Sequence, residues 1–68
     1  MEPREIFDLI VKADEALKYA TDRLNDLRRR QATELLQEAL AEAQRIGNEQ
    51  LAGQARTRLH DLGVEADA

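Results

Sequence analysis

The amino-acid sequence predicts an all-α fold, either a small three-helix antiparallel bundle or a helical hairpin with a third helix, and three observations carry that expectation. Ala, Leu, Glu and Arg dominate the chain, and all of them lose little on entering a helix. Neither Gly nor Pro occurs between Arg4 and Ile46, and the β-branched residues in that stretch are scattered. Leu, Ile and Ala recur at alternating steps of three and four residues, the spacing that collects them on one helix face.

A chain of 68 residues forms one domain, 1–68, and no second core. So short a chain buries only roughly 60% of its unfolded surface, so its core needs reinforcement. Cysteine is absent, which excludes disulfides, and His60 is the only histidine, which leaves a zinc site short of ligands. No cofactor is expected. Helix packing and a partner chain remain as sources of stability. The net charge of −4 argues against nucleic acid, whose binders carry a basic excess over a face or domain. No apolar run is long enough for a membrane span or a signal peptide, and the lack of cysteine agrees with a reducing compartment, so a soluble, cytoplasmic protein is the expectation.

The first helix is expected over about 3–20. Pro3 suits its first turn, where the missing N–H is not needed, and Glu2 and Glu5 complement the positive end of the helix dipole. Its stripe runs Ile6, Ile10, Ala13, Leu17, Ala20, Leu24 and Leu27, widened by Leu9 and Ala16. A second stripe, Ala32, Leu35, Leu36, Ala39, Ala43 and Ile46, is rotated from the first by about one residue step, ~100°. That phase change calls for a turn. Thr21-Asp22 offers N-cap side chains, and the polar run Arg28–Gln31 sits where the phase shifts. The first site is favoured, because a second helix over 22–46 still gathers Leu24 and most later apolar residues on one face; the rival is one long helix bending through the arginines. Gly47 then suits a left-handed stop, Asn48 an N-cap and Glu49 a first turn. A third helix is expected over 48–62, with Leu51, Ala52, Ala55, Leu59 and Leu62 on one side. Gly63 offers a second stop, and Arg56, Arg58 and His60 lie near the negative end of the dipole. The tail 64–68 is expected to fray.

The stretch from Gln31 to Leu40 with Ala43, and the later Leu62-Gly63 pair, resembles tetratricopeptide-type repeats through Ala32, Leu36, Ala39 and Leu40. The resemblance covers about half the chain and implies a helical hairpin that packs through small residues. The N-terminal half, through Ala13, Leu17 and Tyr19, also looks like three-helix domains that bind helical trafficking peptides. Both resemblances imply antiparallel helices whose grooves receive another helix. Repeat units need about three neighbours for stability, so self-association is implied as well.

Catalytic chemistry finds little to work with. A catalytic histidine needs a nucleophile and an orienting group, yet the chain has neither serine nor cysteine, and His60 near a helix end reads as a mild dipole partner. No enzyme is expected. Glu34, Glu38 and Glu42 form a carboxylate strip on one helix face, but without histidines at Glu-x-x-His spacing it reads as a solvated acidic face. Asp8/Lys12, Asp14/Lys18 and Asp26/Arg30 have the order that supports a helix. Arg28, Arg29 and Arg30 make the main basic cluster, but consecutive residues fan out over ~200° of a helix and no stacking aromatics accompany them.

The function expected is therefore a small helical protein–protein interaction module that forms a homodimer, grips a helical peptide or protein partner, or both. Phe7, Val11 and Leu40 lie off the stripe centres as contact points, and Ile6, Phe7 and Ile10 concentrate bulky apolar surface for a dimer interface. The alternative is a nucleic-acid-binding accessory protein using Arg28–Arg30.

Overall fold

The computed structural model describes residues 1–19 and 25–64 as three helices, α1 (Pro3–Lys18), α2 (Asn25–Arg45) and α3 (Glu49–Asp61), with no strand among the described residues. The interruption falls between Lys18 and Asn25, and Arg28–Gln31 is helical, so a single helix bending through the arginines is excluded. Thr21 and Asp22, with the end of the first expected helix at Ala20, lie outside the described residues.

Pro3 occupies the first turn of α1, and Glu5 reaches back to accept the backbone N–H of Glu2 at 3.1 Å. α2 ends in a Schellman motif. Gly47 takes φ +72°, its N–H donates to the Gln44 carbonyl at 3.1 Å, and the Asn48 N–H donates to the Ala43 carbonyl at 2.8 Å. Asn48 also starts the next helix, since its side-chain oxygen accepts the Leu51 N–H at 3.0 Å. One residue thus closes α2 and opens α3, which leaves no room for a longer loop.

α3 ends in the same way. The Gly63 N–H donates to the His60 carbonyl and the Val64 N–H to the Leu59 carbonyl, both at 2.9 Å. Val64, which the sequence places in a frayed tail, is bonded here and packs against the core. The hydrophobic contact that accompanies a Schellman motif accounts for this.

α2 lies between the other two helices and packs on both, while α1 and α3 touch each other less. The shape is flattened accordingly, 37 × 23 × 13 Å. The core gathers Ile6, Ile10 and Ala13 from α1, Ala32, Leu36, Ala39, Leu40 and Ala43 from α2, and Leu51, Ala52, Ala55 and Leu59 from α3. Half of these are alanines, which let helix axes approach closely but bury little area each, so Ile6, Ile10, Leu36 and Leu59 supply most of the fully buried bulk.

Leu27 and Ile46 depart from the expected stripes. Leu27 lies nine residues before Leu36, about half a turn out of phase in a continuous helix, and it is 48% exposed. Ile46 has the right phase but sits beyond the last turn of α2, and it too is exposed.

Two polar contacts tie the helices together. The Arg58 Nε donates to both carboxylate oxygens of Asp14 at 2.9 and 3.1 Å, joining α3 to α1, and an Arg29 Nη donates to the Leu62 carbonyl at 3.0 Å, joining α2 to the end of α3. Asp14 therefore pairs across helices rather than with Lys18. The contact is partly exposed and is worth at most ~1 kcal/mol.

Gly53 sits inside α3, and a methyl group built there meets nothing within 4 Å. Gly53→Ala is expected to raise stability by about 0.5 to 1 kcal/mol, because Ala restricts the unfolded chain and suits a helix better. Thermal unfolding followed by circular dichroism checks this; a loss would reveal a backbone contact the packing does not contain.

Candidate interaction surface

The residues expected to meet a partner separate into two groups. Ile6 and Ile10 are fully buried, and Leu40 is buried at 8% exposure, so all three serve the chain's own core and are corrected from contact points to core residues. Leu40 is covered because α2 has a neighbour on each side, which widens its buried arc to ~100° from Ala39 to Leu40. Phe7 remains 47% exposed and Val11 is half-buried. They lie one turn apart on a flank of α1, the same flank from which Asp14 reaches Arg58 of α3.

Phe7 borders a shallow groove of about 460 Å³ between the first turns of α1 and α3, lined also by Pro3, Arg4, Asn48, Leu51 and Gln54. Met1 and Ile46 are also exposed at this end, but outside this groove: the Met1 ammonium lies 3.7 Å from the Glu42 carboxylate, on the side of the acidic strip of α2. The sequence-level reading overlooked Ile46 here by assigning it to the core stripe.

A larger groove of about 710 Å³ runs between α1 and α2 on the other flank of α1. Ala16 and Leu35, both partly buried against the core, contribute its apolar lining, and Tyr19, 64% exposed, stands at one end. Glu15, Glu34 and Glu38 also line it, with Lys12 and Arg28. This groove was not foreseen. Its signal in the sequence is faint: an alanine and a leucine at the edges of two separate stripes, which only the α1/α2 pairing brings together.

The arginine cluster does not present one basic face. The Arg28 Nη1 donates to Gln31 Oε1 at 3.3 Å, Arg29 binds the Leu62 carbonyl, and Arg30 is exposed. Of the acidic strip, Glu42 is engaged: Arg45 Nε donates to its carboxylate at 2.8 Å and holds its pKa below the ordinary range, against a smaller opposing effect of desolvation. A lowered carboxylate pKa contributes stability that is present at neutral pH and is lost as pH falls through that value. The group is partly exposed, so the contribution is small and screened by salt. His60 is exposed at the end of α3. Among the described residues, no group of three or more His, Cys, Asp or Glu is placed to hold a metal, and no helix is long and apolar enough to cross a membrane.

Comparison of the chain with family models, with curated proteins and with solved structures finds no match.

Proposed function

We propose that the chain is a non-catalytic helical interaction module of the cytoplasm that self-associates through the end of the bundle bearing Phe7. The observation that carries this reading is the exposure of Phe7 beside the α1/α3 groove. An aromatic ring left in water beside a groove gains from a cover, and aromatic residues dominate the energetics of interfaces. The core supports the same reading, since half of it is alanine and its area per residue is low. In a two-fold dimer, Phe7 of each copy meets the groove beside the other's Phe7, so one patch serves both partners. The tetratricopeptide likeness belongs to the same proposal: α2 covered on each side by a sequence neighbour is the arrangement that repeat proteins extend by adding helices. The divergence of Arg28, Arg29 and Arg30 supports protein over nucleic acid as the partner.

Light scattering over a concentration series tests this directly. The wild type is expected to approach twice the chain mass at high micromolar concentration, with a melting temperature that rises with concentration. Phe7→Glu is expected to give a monomer with a lower melting temperature that no longer depends on concentration. A wild type that stays monomeric at high micromolar concentration and melts independently of it would overturn the proposal.

A further inference from the structure

We infer that the groove between α1 and α2 is a docking site for a helix of a different protein, one whose apolar face is bordered by Lys or Arg. The inference rests on the interaction-module reading but not on the contact at Phe7. The groove is lined by α1 with its C-cap Tyr19 and by α2, on the flank of α1 turned away from Phe7 and Asp14. A helix laid there would rest on the hairpin from the side that α3 leaves free.

The lining fits a helix. Ala16 lets a backbone approach, Leu35 offers apolar area, and Tyr19 stands exposed at one end as an aromatic anchor. Such grooves accept apolar anchors spaced i, i+3, i+4 and i+7. Charge selects the occupant. Glu15, Glu34 and Glu38 make no ion pair among the described residues, and neither do Lys12 and Arg28; Arg28 bonds only the neutral Gln31, and its buried Nε has no partner. Three carboxylates against the two cations Lys12 and Arg28 leave the lining with an acidic excess. A second copy of this chain offered through the same surface would bring two linings of acidic excess together, and like charge across an interface disfavours that pairing. A foreign helix with basic flanks meets no such penalty.

The probe is a synthetic amphipathic peptide with Leu at i, i+3, i+4 and i+7 and Lys at the flanking positions; its twin carries Glu in place of every Lys. Each is titrated into the full chain, with affinity read by fluorescence anisotropy and location by amide chemical shifts. The Lys peptide is expected to shift Ala16, Tyr19 and Leu35 and to bind at least about tenfold more tightly than its twin. In Glu34→Lys/Glu38→Lys the preference should reverse. Both positions are exposed and Lys suits a helix, so the fold should persist, and Tyr19→Ala offers a second variant expected to weaken binding with the charges intact. Equal affinity for the two peptides, shifts confined to other surfaces, or an unchanged preference in the double variant would each overturn the inference. Phe7→Glu should bind the Lys peptide as the wild type does; a dimer that survives while the groove fails, or the reverse, shows which of the two proposals has fallen.

Discussion

Leu36→Ala is expected to destabilise the protein by about 2 to 5 kcal/mol, a large share of the total stability of a domain of this size. Leu36 is fully buried in α2, the helix that packs on both neighbours. Removing its isobutyl group forfeits the transfer free energy of the lost carbons and leaves a cavity. Collapse around that cavity is limited, because much of the surrounding core is alanine, whose methyl groups cannot swing to fill space. Total stability is also small, since a short chain has little area with which to offset its conformational entropy. Urea unfolding followed by circular dichroism, at fixed protein concentration so that any association is held constant, measures the effect. Leu36→Met, which nearly conserves volume, should cost less than about 1.5 kcal/mol. A loss below about 1 kcal/mol for Leu36→Ala would mean that the site is not a packed core position.

The elements of this fold were legible in the sequence wherever local chemistry determines them. Gly47 and Asn48 marked one boundary and Gly63 another, because positive φ and side-chain capping are demands that few residue types meet. Ile6, Ile10, Ala13, Ala32, Leu36 and Ala39 follow from period alone. What periodicity did not yield is which flank of a helix acquires a neighbour. A stripe centred on Leu36 and Ala39 leaves Leu40 at its edge and so predicts a contact point, yet α2 lies between two helices and buries a wider arc. Leu27 fits the period of the first stripe, but its register belongs to α2, where it faces away from Leu36. The surface patches are less legible still. Phe7 stands out as a bulky residue off the stripe, but the grooves beside it and beside Tyr19 are made by residues more than a dozen positions apart in the chain, so they arise only from the pairing of helices.

Gly47→Val should lower stability by on the order of 1 to 3 kcal/mol, and the cause is confined to the backbone. Gly47 takes φ +72°, a conformation in which an L side chain crowds its own carbonyl, most severely when branched at Cβ. Space is not the obstacle, since a Cβ built there meets nothing within 4 Å. The expense of leaving that conformation is shared by two helices. If residue 47 relaxes to negative φ, the chain beyond it swings away, the bond from the Asn48 N–H to the Ala43 carbonyl opens, and Asn48 loses the position from which it caps α3. Gly47→Asn should cost clearly less, because Asn tolerates the left-handed region, and Gly47→Ala should fall between the two. In a domain of this size each kcal/mol moves the melting temperature by roughly 4 to 8 °C, so the order Asn, Ala, Val is resolvable by thermal unfolding. A Val variant that melts with the wild type would show that the α2–α3 turn closes through a conformation other than the left-handed one.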